Sequence, residues 1–288
     1  MDYINVNAYA KINIGLDVLR KRPDGYHDVS MIMQTIDMYD KININKNNKS
    51  TINIKTNLFF LPNDSRNIVY KAAELFFNEL DISGGININI KKNIPVSAGL
   101  AGGSADAAAT LLGLNHLYKC NLSASDLMEL GVKIGADVPY CILKGTALSE
   151  GIGEKLTPLK PFPDCYIVLV KPPISVSTKY VYGNLVLNDK TNHPNIKMII
   201  EAINNNDLCA ISNHMDNILE NVTIKRYPVI QQIKEKLLKQ NAIASIMSGS
   251  GPSVYGVFDN YDLALNSYNT LKSSLKHMDV FLSKPYWP

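Results

Sequence analysis

The sequence predicts a mixed α and β protein with two domains. Residues 1–90 contain short runs in which apolar and polar residues alternate, such as Ile86-Asn87-Ile88-Asn89-Ile90, and this period of two is typical of strands. Residues 100–118 instead repeat apolar residues at helical spacing, directly after a glycine-rich stretch. A proline-rich segment, Lys160–Asp164, precedes an apolar strand over Tyr166–Val170, so we place the boundary near residue 160, giving domains 1–160 and 161–288.

The other elements follow from the same periodicities and from capping residues. In the first domain they are a strand near Ile42–Asn45, a solvated turn at Lys46–Lys49, and helices at Ile68–Leu80 and Ser125–Ile134, the last ending at Gly135. In the second domain they are helices near Ile196–Asn204, Cys209–Asn213 and Val229–Lys239, and strands near Ile243–Met247, Val254–Phe258 and Asp279–Ser283.

Composition excludes several classes of protein. The chain has 288 residues, of which 46% are hydrophobic, enough to bury a full core. Its net charge is only +3 and its basic residues are scattered, which argues against nucleic-acid binding. The start lacks the pattern of an export signal, and no apolar run approaches the roughly 20 residues that cross a bilayer. We therefore expect a cytoplasmic protein that does not bind membranes.

Cysteine and histidine spacing predicts no metal site. The four cysteines form no CxxC pair, and we interpret all of them as buried core thiols: Cys120, Cys141, Cys165 and Cys209. The five histidines show no HExxH or similar ligand spacing. A metal ion held by protein side chains is therefore not expected.

The stretch Pro95–Ala105 places three glycines and several small residues between a predicted strand and a predicted helix. Without bulky side chains, backbone N–H groups can approach phosphate oxygens, and the helix N-terminus adds the positive end of its dipole. Tight packing of the strand against the helix would explain the same composition equally well. The sequence has no GK[ST] Walker ending, no GxGxxG dinucleotide spacing, no HRD or DFG triplet and no serine-hydrolase elbow.

Three motifs in one order make a family resemblance specific. Besides the glycine stretch they are an N-terminal Ala8-Tyr9-Ala10-Lys11-Ile12-Asn13-Ile14-Gly15-Leu16 and a late Met247-Ser248-Gly249-Ser250-Gly251-Pro252-Ser253. Together they resemble the motifs of the GHMP kinases, a family that includes galactokinase, homoserine kinase and mevalonate kinase. The resemblance implies an α+β, two-domain GHMP kinase fold with a ribosomal protein S5 domain 2-like N-terminal domain and a ferredoxin-like C-terminal domain. It also implies transfer of the γ-phosphoryl group of ATP to an alcohol.

Further segments resemble one branch of that family. They are Arg22-Pro23-Asp24-Gly25-Tyr26-His27 with Gln34-Thr35, Gly135-Ala136-Asp137-Val138-Pro139, and Glu150-Gly151-Ile152-Gly153-Glu154. The acceptor of this branch is a cytidine-diphosphate-linked methylerythritol of the non-mevalonate isoprenoid pathway. The resemblance thus implies a small-molecule substrate, ATP, and Mg²⁺ carried on the ATP phosphates. The resemblance leaves open whether the protein is a monomer or a homodimer.

The resemblance also assigns roles to single residues. Asp137 is the base that accepts the proton of the acceptor hydroxyl, and Lys11 is its electrostatic partner. ATP contacts fall on Pro95, Val96, Ser97, Ala98, Gly99, Leu100, Ala101, Gly102, Gly103, Ser104, Ala105, Asn67 and Lys92. Contacts to the acceptor fall on Asn13, Tyr26, His27, Thr178 and Tyr182, with the two tyrosines stacking on the cytosine ring.

Each assignment has a simpler alternative. The alternative for Lys11, Asn67 and Lys92 is that they are ordinary surface residues. Asp137 would be a turn residue at a helix end, and a lone tyrosine would be partly buried in the core. Gly249 and Gly251 either let a loop approach the substrate closely or only shape a turn.

Two positions in the glycine stretch depart from the family pattern. Alanine at 101 predicts that this position does not need a positive φ. Ala105 replaces a second serine and leaves Ser104 to supply the hydroxyl.

Two rival functions stay open. One is a GHMP kinase with another acceptor, and the other is a catalytically silent relative that binds a nucleotide or a sugar.

Overall fold

The computed structural model describes residues 2–189 and 191–288 of the chain. These form ten strands and ten helices in the following order: β1 (Tyr3–Lys21), β2 (His27–Asn47), β3 (Ile52–Thr56), α1 (Ile68–Glu79), β4 (Gly85–Lys91), α2 (Gly102–Tyr118), α3 (Ala124–Ile134), α4 (Val138–Leu143), β5 (Thr146–Gly151), β6 (Lys155–Pro158), β7 (Tyr166–Lys171), α5 (Thr178–Gly183), α6 (Ile196–Asn204), α7 (Leu208–His214), α8 (Glu220–Arg226), α9 (Val229–Lys239), β8 (Ala244–Met247), β9 (Val254–Phe258), α10 (Tyr261–Ser274) and β10 (Asp279–Ser283).

The chain divides into two compact units, each assembled from separate segments. Unit 1 consists of Met1–Ala10, Met38–Val96 and Ala101–Lys144. Unit 2 consists of Lys11–Asp37, Ser97–Leu100 and Gly145–Pro288. The glycine stretch therefore contributes residues to both units. The sequence-based domain boundary near residue 160 stays a prediction.

In unit 1, the C-terminal half of β2 pairs antiparallel with β4, and β4 pairs parallel with β3. The isoleucines of β4 and of the facing part of β2 are buried while the intervening asparagines are more exposed, as the alternating sequence predicts. Helix α2 is rich in alanine and buried around most of its circumference. Small side chains let it pack closely against α1, α3 and α4.

In unit 2, strands β7 to β10 form an antiparallel sheet in the order β10-β7-β9-β8. With the helices that follow β7 and with α10 before β10, this order is that of the expected ferredoxin-like domain. The apolar strand predicted at Tyr166–Val170 is β7, the second strand in that order. The N-terminal half of β2 pairs with β5, and β5 with β6.

Most predicted elements are confirmed, with limited shifts at their ends. Helix α3 starts one residue earlier than predicted because Ser123 is its N-cap and forms a capping box with Asp126. The predicted turn at Lys46–Lys49 overlaps the end of β2, which continues to Asn47, and only its second half lies between β2 and β3. The alternating pattern predicted only short strands in the region where β1 and β2 extend over 19 and 21 residues. Helix α10 was not predicted.

The expectation of four buried thiols is wrong in part. Cys141 and Cys165 are buried, but Cys120 is half-buried and Cys209 is exposed on α7. Burial raises the pKa of Cys165 to about 12, so this thiol stays protonated at neutral pH. Over residues 2–189 and 191–288, every helix is too short or too polar to span a bilayer.

Candidate active site

Lys11 and Asn13 lie two residues apart on β1 and belong to unit 2. Because alternate residues of a strand point to the same face, the Lys11 ammonium reaches the Asn13 side chain and donates to its Oδ1 at 2.6 Å. Lys11 is only 5% exposed and Asn13 is 0% exposed, so the alternative that Lys11 is a surface lysine is wrong. Within its own unit, no carboxylate of the described residues lies within 4.0 Å of the ammonium.

Asn13 is held from two directions. Its Nδ2 group donates to the sulfur of Met31 at 3.4 Å, and its backbone carbonyl accepts from the Tyr255 hydroxyl at 2.8 Å. Tyr255 is fully buried, and burial raises its pKa well above the usual value, so the hydroxyl keeps its proton and remains a donor. The amide oxygen that accepts from Lys11 is therefore fixed in place.

The late glycine motif packs against this pair. Gly249 has a φ of +57°, and a Cβ built on it would lie 3.6 Å from both Lys11 Nζ and Asn13 Oδ1. Gly251 also has a positive φ, of +87°, and a Cβ there would lie 2.7 Å from the sulfur of Met247. These glycines therefore shape a sharp turn, and the backbone of the loop lies close to the buried ammonium. Close approach of this loop to the substrate stays a prediction.

The middle of the glycine stretch, Ser97–Leu100, meets the same loop inside unit 2. A Cβ on Gly99, whose φ is +74°, would lie 2.2 Å from the carbonyl oxygen of Ser248, so only glycine fits without a shift of the backbone. The Ser248 hydroxyl donates to the Gly99 carbonyl at 2.8 Å, and the Lys11 N–H donates to the Leu100 carbonyl at 3.1 Å. Unit 2 therefore brings together parts of all three motifs.

The prediction for Ala101 is wrong. This residue adopts the left-handed conformation, with φ 54° and ψ 26°, as the N-cap of α2. Ser97 also has a positive φ, of 53°, so the left-handed region recurs at every second residue across 97–101. A left-handed alanine costs about 1–2 kcal/mol. The surrounding structure imposes this conformation, which the presence of a Cβ had seemed to exclude.

Asn217 is a contributor that the sequence did not reveal. It lies three residues before the first residue of α8, is 1% exposed, and donates through Nδ2 to the carbonyls of Met247 and Gly249, both at 2.8 Å. Its neighbours form backbone hydrogen bonds with Leu16 on β1, the strand that carries Lys11. The only sequence signal is an asparagine before a helix, which also describes a simple cap.

The residues assigned to the cytidine end are also in unit 2. Tyr26 is 59% exposed in the turn between β1 and β2, so the alternative of a partly buried tyrosine does not hold for it. His27 contacts Tyr182 with 5.2 Å between ring centroids. Burial, with a smaller contribution from Lys21, lowers the pKa of His27, so its imidazole is neutral at neutral pH and can both donate and accept. Thr178 shares a 2.9 Å hydrogen bond with the hydroxyl of Ser250 in the late glycine motif.

The remaining assigned residues are in unit 1. Asp137 follows the end of α3, as predicted, and is also the N-cap of α4, with no capping hydrogen bond from its side chain. Asn67 is the N-cap of α1 and is nearly buried, and Lys92 is buried between two carboxylates. The alternative of ordinary surface residues is therefore wrong for both. How Asp137 is placed relative to Lys11 stays a prediction.

Comparison with known families defines the class of protein. Residues 67–145 match the model of the GHMP kinases N terminal domain, and residues 199–277 match that of the GHMP kinases C terminal domain. The chain belongs to the GHMP kinase family, as the three motifs indicated.

Individual relatives carry one name. Proteins named 4-diphosphocytidyl-2-C-methyl-D-erythritol kinase are 56% identical in Lachnoclostridium phytofermentans, covering 99% of this chain and 98% of the relative, and 54% identical in Clostridium novyi, covering 96% and 98%. A crystal structure of 4-(cytidine 5'-diphospho)-2C-methyl-D-erythritol kinase superposes with a TM-score of 0.85 at 28% identity, covering 99% of this chain and 100% of that one.

Proposed function

We propose that this protein transfers the γ-phosphoryl group of ATP to the 2-hydroxyl of 4-diphosphocytidyl-2-C-methyl-D-erythritol. Its relatives over the whole chain carry the name of that kinase. One structural observation supports the reaction most directly. Among the described residues of its own unit, the buried ammonium of Lys11 has only an amide oxygen as its side-chain partner, and it lies beside the backbone of Gly249. A desolvated cation of this kind is suited to stabilise an anionic phosphoryl group.

Phosphoryl transfer requires mainly positioning and positive charge near the group that moves. In this proposal the backbone of Pro95–Ala105 holds the ATP phosphates, with the N-terminus of α2 directed toward them. Asp137 accepts the proton of the acceptor hydroxyl, and Lys11 stabilises the charge that develops. Asn13 and Thr178 contact the acceptor, while Tyr26 and Tyr182 stack on its cytosine ring and His27 meets the hydrogen-bonding edge of that ring.

The residues present fit a Mg²⁺ ion that arrives on ATP. The described residues hold no group of three or more His, Cys, Asp or Glu side chains placed to bind one ion. Mg²⁺ usually keeps several waters and binds one or two side chains together with substrate phosphates. The Ser104 hydroxyl, half-buried in the first turn of α2, would be one such ligand. When bound, the ion neutralises phosphate charge. A cytoplasmic location and a monomeric or homodimeric state stay predictions.

The choice of acceptor is tested by phosphorylation assays with one enzyme and several alcohols. We expect ATP-dependent turnover of 4-diphosphocytidyl-2-C-methyl-D-erythritol and none above background for mevalonate, homoserine or galactose. Turnover of one of these three alone would assign a different GHMP activity. ATP binding without turnover of any acceptor would indicate a silent relative.

The role of Asp137 is tested by Asp137→Asn, which keeps the shape of the side chain and removes the base. We expect ATP binding to persist while kcat falls at least about 100-fold, the lower range for a positioned base. The matched control is Asp81→Asn, an isosteric change at an exposed residue of the same unit whose positive φ suits asparagine. Unchanged kcat in Asp137→Asn would remove this residue from its proposed role.

A further inference from the structure

Lys92 lies directly after β4, and its side chain is only 4% exposed. Its ammonium donates to Asp40 Oδ2, to Asp106 Oδ2 at 2.6 Å, and to the carbonyl of Gly102 at 3.5 Å. An ammonium has three donors, so all of them are directed to groups of unit 1. This lysine therefore has no donor left for a nucleotide while these bonds are intact.

One partner of Lys92 also holds the chain where it enters the glycine stretch. The second oxygen of Asp40 accepts from the backbone N–H groups of Asn93 at 2.5 Å and Ile94 at 2.8 Å. These are the two residues that precede Pro95. The carboxylate on β2 thus binds Lys92 with one oxygen and the entry to the stretch with the other.

The other contacts of Lys92 hold the chain where it leaves the stretch. Gly102 and Asp106 lie in the first two turns of α2. A Cβ built on Gly102 would lie 3.0 Å from Cγ2 of Ile94 and 3.5 Å from the ammonium of Lys92, so the entry and the exit are in close contact here. The ammonium is located where the two ends of the stretch meet.

The cluster is electrostatically costly. Burial acts to lower the pKa of Lys92, but Asp106 and Asp40 together outweigh it and raise that pKa, so the group remains an ammonium. Burial raises the pKa of Asp106 well above its usual value, although Lys92 opposes this, and its Oδ1 has no hydrogen-bond partner among the described residues. Buried ion clusters of this kind are weak sources of stability compared with apolar packing. What this one provides is a fixed geometry.

We propose that Asp40, Lys92 and Asp106 form a clamp that fixes the distance between the two ends of the phosphate-binding stretch. The inference rests on the proposed function, since it assigns to these residues the positioning of the backbone that holds ATP. Lys92 then acts on the nucleotide through the stretch and not by touching it. Asp40 and Asp106 become positioning residues for the same reaction.

The clamp is tested by Lys92→Met and Asp106→Asn, with Asp40→Asn as a third variant that keeps an acceptor for Asn93 and Ile94. We expect each variant to raise the KM for ATP and the Kd for a non-hydrolysable ATP analogue, at least tenfold for Lys92→Met and several-fold for the other two. The KM for the acceptor should change less than twofold. Lys91→Met, at the exposed neighbouring position on β4, serves as the control and should bind the analogue as the wild type does.

A double variant separates positioning from simple stabilisation. The single variant Lys92→Met leaves two buried carboxylates without a cation. Lys92→Met/Asp106→Leu also removes one of these carboxylates, so its melting temperature should lie closer to that of the wild type than the melting temperature of Lys92→Met does. The clamp predicts that the weak ATP binding remains in this double variant. Recovery of both the melting temperature and ATP affinity would show a structural role only and would overturn the proposal.

The remaining outcomes are also decisive. Weak ATP binding in Lys92→Met with normal binding in both aspartate variants would indicate direct contact between Lys92 and the nucleotide, and would overturn the clamp. Normal binding in every variant would overturn the clamp and leave the proposed kinase function intact. A wild-type protein that binds no ATP analogue would overturn the proposed function and the clamp together.

Discussion

Each compact unit contains a buried lysine, and the two lysines have opposite surroundings. In unit 1 the Lys92 ammonium is bonded to two carboxylates, Asp40 and Asp106. In unit 2 the Lys11 ammonium is bonded to the amide oxygen of Asn13 and lies beside glycine backbone. Burial alone therefore does not tell how much charge a lysine can offer a ligand. The partners do, because a neutralised ammonium has little charge left to offer a ligand, whereas one bonded to a neutral amide keeps its charge.

The largest expected effect comes from Lys11→Met, which keeps the length of the side chain and removes the charge. If Lys11 stabilises the transferred phosphoryl group, kcat should fall about 10²–10³-fold, the loss typical of removing one preorganised electrostatic group. The free energy of unfolding should fall by about 1–3 kcal/mol, because the buried Oδ1 of Asn13 loses its donor, although no carboxylate among the described residues of unit 2 loses a partner. Single-turnover kinetics and thermal unfolding measure the two quantities.

Lys92→Met is expected to lower the free energy of unfolding more than Lys11→Met does. This change leaves two buried carboxylates without their cation, which costs about 3–5 kcal/mol. Lys55→Met, at an exposed position of β3, should alter neither stability nor turnover. Equal destabilisation by Lys11→Met and Lys92→Met would contradict the proposed difference between the two buried lysines.

A smaller effect is expected from Gly99→Ala, which places a methyl group against the Ser248 carbonyl. The left-handed φ alone costs alanine about 1–2 kcal/mol, and displacement of the late loop adds to this. We expect a loss of about 2–3 kcal/mol in the free energy of unfolding, measured by denaturant titration. Gly183→Ala is the control, because a Cβ at this position would have no neighbouring atom within 4 Å and the φ of Gly183 is not positive. Equal stability of Gly99→Ala and the wild type would contradict the close approach of the two motifs.

The smallest effect is expected from Tyr26→Ala. An exposed aromatic ring that stacks on cytosine contributes about 0.5–1.5 kcal/mol, so the KM for the acceptor should rise about 2- to 12-fold while ATP affinity is unchanged. Tyr3→Ala is a matched control, because both tyrosines are 59% exposed, and it should leave the KM for the acceptor as it is. A loss of ATP affinity in Tyr26→Ala would place this residue elsewhere in the site.

Sequence reasoning succeeded where structure is local and failed where it depends on distant contacts. The strand that contains Ile86, Ile88 and Ile90 was predicted because alternation reflects burial on one face of a sheet. The ends of α3 were close to correct because its N-cap serine and its C-cap glycine act on the neighbouring backbone. Helix α10 was missed because its helical pattern is weak, and the length of β1 and β2 depends on pairing with strands elsewhere in the chain.

For the site, the three motifs and their order were readable from the sequence, and they were enough to identify the family. The neighbours that hold them were not. Asn217 is separated by 30 residues from the Met247 carbonyl that it binds, and Lys92 is separated by 52 residues from Asp40. Nothing in the residues around Asn217 or Lys92 specifies these partners, because the bonds form only once the strands have paired.

The sequence by itself thus determined the family, the glycine-rich stretch, and the positions, Lys11 and Asp137, to which the proposed chemistry is assigned. Only the tertiary structure decided that Ala101 is left-handed, that Gly99 must lack a side chain beside Ser248, and that the charge of Lys92 is already neutralised. The reason is physical. A residue's type limits what it can do, but the dielectric, the partners and the backbone conformation around it are supplied by parts of the chain that folding brings together.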